Sequence, residues 1–213
     1  MSKRIAIIGA GPAGLMAAEV LSQYNYQIDV FEQKPSAARK FLMAGKTGLN
    51  ISHAEPIDVF IQRYDRMDWL SPWVKQWDAQ WIQNWMQGLG IDSYVGSSGR
   101  VFPVEMKAAP LLRAWLKRLM NDGVKFHYRH RCVDLSNNQL TIENQTQQFS
   151  ATYDAIILAC GAVSWSQLGS DGAWQQWLST DEIEPFQASN AGVLKQWSPF
   201  MQDCFGQPLK RVD

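Results

Sequence analysis

Six residues near the amino terminus have the types and spacing of a phosphate-binding turn. Residues 9–14 read Gly-Ala-Gly-Pro-Ala-Gly, a G-x-G-x-x-G segment. The first glycine permits a tight turn, the second lets backbone approach a pyrophosphate, and the third allows a helix to pack closely on a sheet. Proline suits the first helical turn, whose free N–H groups attract anions. The predicted contacts to a nucleotide are therefore Gly9, Gly11, Pro12, Ala13 and Gly14.

One acid follows this turn at the distance that a ribose-binding carboxylate requires. Glu32 lies 18 residues after Gly14 and closes a short apolar run. A carboxylate there accepts hydrogen bonds from both hydroxyls of an adenosine ribose and repels a 2′-phosphate. Glu32, with the adjacent Gln33, therefore predicts a site for FAD or NAD rather than NADP.

The elements that must position these residues form one continuous unit. Residues 4–8 are a β-branched run, residues 15–23 have helical character, and residues 28–31 form a second apolar run. A strand, turn, helix, strand and acid in this order satisfy the context of the dinucleotide fingerprint. A glycine turn without a ligand and a secretory signal are the alternatives. The signal is disfavoured because glycines, Pro12 and Glu19 interrupt the apolar stretch, and no cleavage site follows it.

Composition limits the possible classes of protein. The chain has 213 residues, 46% of them hydrophobic, with 20 basic and 20 acidic residues. The balanced charge predicts no nucleic acid or anionic lipid partner, and no apolar run reaches membrane-spanning length. The three cysteines, at positions 132, 160 and 204, lack a C-x-x-C arrangement and fit a reducing cytoplasm.

The middle of the chain predicts a mixture of helices and an antiparallel meander. Ser71-Pro72 predicts the start of a helix that ends at residues 88–90, with tryptophans at 73, 77, 81 and 85. This tryptophan row is interpreted as a core face against the sheet, with a wall of the cofactor pocket as the alternative. A helix is expected over residues 106–121, and another over 172–178. Meander strands are expected over residues 124–128, 131–135, 139–143 and 149–153, before a buried parallel strand over 154–161.

Metal binding is not expected from the histidine pair. His127 and His130 are three residues apart in a predicted strand and should point to opposite faces. Residues 39–50 form a basic, glycine-containing segment, interpreted either as a phosphate-binding loop or as a solvated surface loop.

Several segments together resemble one bacterial flavoprotein family. These are residues 39–50 (Arg-Lys-Phe-Leu-Met-Ala-Gly-Lys-Thr-Gly-Leu-Asn), 96–103 (Gly-Ser-Ser-Gly-Arg-Val-Phe-Pro), 169–172 (Gly-Ser-Asp-Gly) and the apolar strand ending at Cys160-Gly161-Ala162. The chain resembles the NAD(P)/FAD-dependent oxidoreductases of the aminoacetone oxidase family, which are related to a bile-acid Δ4,6-reductase. The resemblance implies an α/β Rossmann-type FAD-binding domain of the two-dinucleotide-fold type over residues 1–184. It also implies the incomplete start of an inserted substrate domain over residues 185–213.

The same resemblance assigns further cofactor contacts. It implies that the main chain of Val133 faces the adenine, and that cations and small residues in the basic segment meet the phosphates and flavin. The implied contacts are Arg39, Lys40, Ala44, Gly45, Lys46, Asn50, Val133, Ala159, Cys160, Gly161 and Gly172. A small organic substrate and a nicotinamide nucleotide as electron partner are implied as well. No catalytic residue and no oligomeric state is assigned. A non-catalytic FAD- or ADP-binding fragment and an NAD-dependent single-Rossmann dehydrogenase are the alternatives.

Overall fold

The computed structural model describes residues 2–45, 48–188, 196 and 198–204. It divides into two compact units, Met1–Ile183 and Glu184–Asp213. In the second unit the described structure contains a short 3-10 helix, Pro199–Cys204. That residues 185–213 begin an inserted domain stays a prediction.

The first unit alternates strands and helices. The strands are β1 (Lys3–Ile8), β2 (Tyr26–Glu32), β3 (Ser52–His53), β4 (Ser93–Val95), β5 (Arg100–Pro103), β6 (Lys125–Tyr128), β7 (Arg131–Ser136), β8 (Gln139–Glu143), β9 (Gln148–Thr152) and β10 (Ala155–Leu158). The helices are α1 (Pro12–Leu21), α2 (Arg39–Ala44), α3 (Ile57–Ile61), α4 (Met67–Gln76), α5 (Ala79–Gly88) and α6 (Ala108–Asn121). Short 3-10 helices follow β10, including Ala173–Trp177 where an α-helix is expected from the sequence.

A four-stranded parallel sheet in the order β10-β1-β2-β6 forms the centre of this unit. Alternate residues of its strands point to opposite faces. Ile7 and Val30 pack against α1 and α6, and Ile8 and Phe31 pack against the meander β7-β8-β9. Because both faces are covered, the central strands are buried and read as continuous apolar runs. This three-layer arrangement confirms the predicted Rossmann-type α/β fold.

The strand over residues 125–128 does not belong to the meander, and that prediction was wrong. β6 pairs in parallel with β2, with Phe126 opposite Val30. The long helix α6 precedes it and supplies the crossover that a parallel strand requires. The antiparallel meander therefore has three strands, β7-β8-β9, within the described part of the chain.

The predicted single helix over residues 71–88 is two helices. Trp77 and Asp78 separate α4 from α5, because Asp78 caps α5 by accepting a hydrogen bond from the Trp81 N–H at 2.8 Å. Ser71 does not begin a helix, and Pro72 lies inside α4.

The interpretation of the tryptophan row as core fails for its first half. Trp73 and Trp77 are 47% and 43% exposed, and the preceding Trp69 is 66% exposed. Trp85 is the member that packs inward, with its ring edge-on to Trp115 at a centroid distance of 4.7 Å.

The prediction that His127 and His130 point apart was also wrong. β6 ends at Tyr128, and Arg129 adopts a left-handed backbone (φ 59°), which brings the two rings to a centroid distance of 5.7 Å. Within the residues that the structure describes, no group of three or more His, Cys, Asp or Glu side chains is arranged to hold a metal ion. No helix in the described ranges is long and apolar enough to cross a membrane.

A polar contact joins the parallel sheet to the meander. The Asp29 carboxylate accepts hydrogen bonds from His127 Nε2 at 2.7 Å and from the Tyr153 hydroxyl at 3.3 Å. The His127 hydrogen bond holds the pKa of Asp29 below its ordinary value of 3.8. Burial and the neighbouring Asp29 charge raise the pKa of Tyr153 to about 12, so the phenol stays protonated and remains a donor.

Acid should weaken this contact. Because the folded-state pKa of Asp29 is depressed, the carboxylate stabilises the fold above its unfolded pKa, and this contribution is lost as the pH falls through the folded pKa. Asp29→Asn should lower the free energy of unfolding by about 1.5–3 kcal/mol near neutral pH, and by less near pH 3. Urea unfolding at the two pH values measures the difference, with the exposed Asp122→Asn as the control. An Asp29→Asn effect that is the same at both pH values would contradict this account.

Candidate functional site

Close backbone contacts fix the glycine turn between β1 and α1. Gly9 has φ 107°, and a Cβ there would overlap the Ala159 carbonyl oxygen at the end of β10. A Cβ on Gly14 would overlap the Gly9 carbonyl oxygen. Both glycines are therefore required by the fold itself, because α1 and β10 pack against the turn without room for a side chain.

Gly11 differs from its two neighbours in the motif. It precedes α1 with φ −75°, and a Cβ built there meets no protein atom within 4 Å. Pro12 occupies the first helical position, so no hydrogen bond is lost there. The protein thus leaves open space beside Gly11, at the helix terminus where N–H groups point outward. An anion has direct access to backbone at this point.

The Glu32 carboxylate is hydrogen-bonded to the same turn. One of its oxygens accepts the Ala10 N–H at 3.0 Å, and the other accepts the Lys34 N–H at 2.8 Å. Each carboxylate oxygen has two acceptor sites, so both retain capacity for another donor. Glu32 is half-buried and faces the cavity described next. It can therefore shape the turn and bind a ligand at once.

These residues line a cavity of about 310 Å³ at the carboxyl ends of the parallel strands. Open α/β sheets bind ligands at this edge, where neighbouring connections leave in opposite directions. The predicted site residues that line it are Gly9, Gly11, Pro12, Ala13, Glu32, Gln33, Arg39, Lys40, Val133, Ala159, Cys160 and Gly161. Those that do not line it are Gly14, Ala44, Gly45, Asn50 and Gly172, and Lys46 lies outside the described residues.

Two cations face the cavity from the start of α2. Arg39 Nε is buried and has no hydrogen-bond partner among the described residues, and Arg39 Nη1 reaches the Ser36 hydroxyl at 3.4 Å. Lys40 Nζ lies 3.4 Å from both the carbonyl and hydroxyl oxygens of Ser164. Guanidinium and ammonium groups beside an open helix terminus suit a pyrophosphate.

Val133 lines the cavity and lies at a β-bulge. The register between β7 and β8 passes from the pair Cys132–Ile142 to the pair Asp134–Thr141 and skips Val133. The extra residue of a bulge is left out of the hydrogen-bond ladder. A main-chain contact between Val133 and an adenine stays a prediction.

The two thiols in the cavity wall have raised pKa values. Burial raises the pKa of Cys132 to about 11 and that of Cys160 to about 12. Both thiols therefore stay protonated at neutral pH, and a thiolate nucleophile is not expected here. The main chain of Cys160 instead stabilises the turn after β10, where the buried Ser170 hydroxyl donates a hydrogen bond to the Cys160 carbonyl oxygen at 2.9 Å.

The structure adds wall residues that sequence reasoning missed. The segment after β10 crosses back over the cavity, where Gln33 Nε2 donates to the Gly169 carbonyl at 2.6 Å. The newly placed residues include Ser36, His130, Arg131, Leu168, Trp174 and Trp177. The Gly-Ser-Asp-Gly motif at residues 169–172 could have indicated this segment. No local sequence pattern indicates that Trp174 and Trp177 line the cavity.

Gly45 and Leu49, in the second half of the basic segment, pack away from the cavity. A Cβ on Gly45 would lie 2.5 Å from the Ala108 Cβ at the start of α6. Leu49 is buried, and its N–H donates to the Met106 carbonyl at 3.0 Å. Gly45 is thus a packing residue of the fold, and contact between residues 44–50 and a flavin stays a prediction.

The fold and this site define an FAD-binding Rossmann domain of the flavoprotein type. Residues 3–196 match the HI0933-like protein Rossmann domain, and the chain belongs to this family of FAD-dependent oxidoreductases. The resemblance seen in the sequence is thereby confirmed, with FAD as the cofactor.

Among curated proteins, the 3-dehydro-bile acid delta(4,6)-reductase of Clostridium scindens is 29% identical over 174 residues. The match covers 80% of this chain and 42% of the reductase, so the chain spans less than half of that relative's length.

Two solved structures share the fold at low identity. The open conformation of a flavocytochrome c3 fumarate reductase has a TM-score of 0.60 at 14% identity, covering 76% of this chain and 34% of that one. The 3-ketosteroid-delta4-(5alpha)-dehydrogenase of Rhodococcus jostii has a TM-score of 0.58 at 13% identity, covering 75% of this chain and 46% of that one. At such identity these similarities concern the fold alone.

Proposed function

We propose that this chain supplies the FAD site of a cytoplasmic oxidoreductase that acts on a small organic substrate, with a nicotinamide nucleotide as electron partner. The observation that carries the proposal is the cavity at the carboxyl edge of the sheet, which Gly11, Glu32 and Val133 line together. The bile-acid reductase relative supports an organic substrate, and the two unpaired described thiols support a reducing compartment.

The residues present fit FAD at three places. The backbone at Gly11 and the amino terminus of α1 would hold the pyrophosphate, with Arg39 and Lys40 neutralising its charge. Glu32 would accept hydrogen bonds from the adenosine ribose hydroxyls. The Val133 main chain would contact the adenine.

When bound, FAD supplies hydride or electron transfer to and from the substrate. The protein residues bind and orient it. Trp177 and the Gly169–Ser170 segment form part of the cavity wall and would limit the access of water to a bound cofactor. The alternative of an NAD-dependent single-Rossmann dehydrogenase is disfavoured, because an antiparallel meander stands where such a fold would add further βα units.

The proposed hydrogen bonds between Glu32 and the adenosine ribose can be tested by mutation. Glu32→Ala should weaken FAD binding by about 1.5–3 kcal/mol, the range for a hydrogen bond to a charged group. Glu32 also orders the turn through the Ala10 N–H, so loss of affinity alone would not identify a ribose contact.

Comparison of ADP with 2′,3′-dideoxy-ADP separates the two roles of Glu32. Wild-type protein should bind ADP more tightly than the dideoxy analogue by calorimetric titration, and Glu32→Ala should abolish that difference. An equal loss for both ligands would assign Glu32 to the architecture of the turn and contradict the ribose contact.

A further inference from the structure

Two side chains that line the cofactor cavity carry a buried N–H group without a protein acceptor. Arg39 Nε and Trp177 Nε1 are both shielded from solvent, and neither donates a hydrogen bond to any residue that the structure describes. Native proteins pair nearly all of their buried donors, because an unpaired donor destabilises the fold. The charge of Arg39 suits a pyrophosphate, as described above. That contact does not provide an acceptor for the indole of Trp177.

Trp177 belongs to the part of the cavity wall that β7 forms. It ends the short 3-10 helix Ala173–Trp177, which contacts β7. Its ring packs against the apolar cluster that contains Cys132, the residue before Val133 in β7. Trp177, Cys132 and Val133 all line the cavity. The indole therefore lies in the same region of the wall as the main chain that is proposed to contact the adenine.

The neighbouring Trp174 has its indole donor paired within the protein. Trp174 also lines the cavity, but its Nε1 donates to the Gly161 carbonyl oxygen at 2.9 Å. An indole N–H donates and does not accept, and a buried one usually has a partner. The two tryptophans therefore differ, because Trp174 uses its donor to hold the turn after β10 whereas the donor of Trp177 is left for a ligand.

The chemistry of adenine matches this donor. Phosphates and ribose hydroxyls are already assigned to the backbone at Gly11 and to Glu32. The wall formed by Phe31, Cys132 and Trp177 is mostly apolar and suits a planar base better than a charged group, because burying an unpaired charge is costly. The unprotonated ring nitrogens of adenine are hydrogen-bond acceptors in the plane of the base. One indole N–H can pair with one of them.

We propose that Trp177 is a specificity-determining residue, whose indole N–H donates to a ring nitrogen of the adenine of FAD. This inference rests on the proposed function, because it requires the adenosine half of FAD in this cavity. Solvent does not reach Nε1, so the indole turns about its Cβ–Cγ bond when the base binds. The site then recognises base, ribose and pyrophosphate through separate groups.

Calorimetric titration with ADP and with 1-deaza-, 3-deaza- and 7-deaza-ADP tests the proposal. Each analogue replaces one ring nitrogen by C–H, and Trp177→Phe keeps an aromatic ring in the wall but removes the N–H. Wild-type protein should bind one of the analogues roughly fivefold to tenfold more weakly than ADP, the range for a neutral hydrogen bond. Trp177→Phe should bind that analogue and ADP equally. A loss that arises from the Val133 main chain would instead persist in the variant, so the comparison isolates the indole.

Trp174→Phe is the matched control. It removes a cavity-lining indole whose N–H is already paired, so the ratio of the affinities for ADP and for each analogue should stay as in wild type. Circular dichroism shows whether each variant is folded. If Trp177→Phe does not fold, benzothienylalanine at position 177, an isostere with sulfur in place of the N–H, is used in its place.

The possible failures separate this inference from the proposed function. A wild-type chain that binds ADP and all three analogues equally would overturn the role of Trp177 and leave the FAD site intact. Discrimination that remains unchanged in Trp177→Phe would also overturn it. A folded wild-type chain that binds neither FAD nor ADP would contradict the proposed function, and the role of Trp177 with it.

Discussion

Gly14→Ala should destabilise the first unit by about 3 kcal/mol or more, at the upper end of the cost of overpacking a core. The added methyl would overlap the Gly9 carbonyl oxygen and would also lie 3.3 Å from the Ala159 Cβ. Because the nearest atom is backbone of the turn, no rotamer change relieves the overlap. Urea unfolding followed by circular dichroism measures the loss.

Gly88→Ala is the matched control for this substitution. Gly88 ends α5 with an ordinary backbone, and the nearest atom to an added Cβ is Arg118 Nη1 at 3.7 Å. Alanine there should leave stability unchanged or raise it by up to about 1 kcal/mol. A Gly14→Ala variant as stable as wild type would show that α1 does not pack on the turn as described.

Gly11→Val should abolish tight FAD binding and leave the fold intact. Its Cβ meets no protein atom within 4 Å and its φ of −75° is open to any residue, so only a modest loss of stability is expected at the helix start. The branched side chain would occupy the space through which the pyrophosphate reaches the backbone. Affinity should fall by at least roughly a hundredfold, about 2.7 kcal/mol.

Gly11→Ala provides a graded comparison, since its single methyl should weaken FAD less than valine does. FAD fluorescence titration measures affinity, and urea unfolding shows that the fold is retained. Wild-type affinity in Gly11→Val would disprove the nucleotide interpretation of the turn. The opposite behaviour of Gly11 and Gly14, one affecting binding and the other folding, is the sharpest consequence of the turn's geometry.

The parts of the fold that the sequence predicts are those encoded over short distances. The unit from β1 to Glu32 carries its glycines, apolar runs and acid within 32 residues, so local chemistry is enough to define it. The strand at 125–128 was placed in the wrong sheet, because its pairing with β2 joins residues about a hundred positions apart. Alternating residues alone do not reveal which strand is the partner.

The tryptophans at 69–85 show the same limit for burial. Their four-residue spacing predicts a row along one helix, but Trp77 lies between two helices, and spacing does not tell which side of a helix another element covers. Asp78 interrupts the helix, after which Trp85 turns to the core while Trp73 and Trp77 stay outside. Exposure here depends on tertiary packing, which no local pattern encodes.

The candidate site also combines residues that a local sequence pattern predicts with residues that only the long-range course of the chain brings there. Gly11 and Glu32 were predicted from the fingerprint, and Val133, Cys160 and Gly161 from family resemblance. Trp177 and Ser170 reach the cavity only because the chain returns over β10 after the meander, a long-range event. The basic segment was predicted as one unit, whereas the structure places Arg39 at the cavity and packs Gly45 against α6.

FAD is the cofactor of this family, and the cavity beside Gly11 is its proposed site in this chain. Titration of FAD into the purified chain, followed by the visible absorbance spectrum and by calorimetry, tests it most directly. We expect one FAD per chain, a shifted and better resolved flavin band, and competition by ADP for the same site. Absence of any spectral change or heat with FAD, in a wild-type chain shown to be folded by circular dichroism, would contradict it.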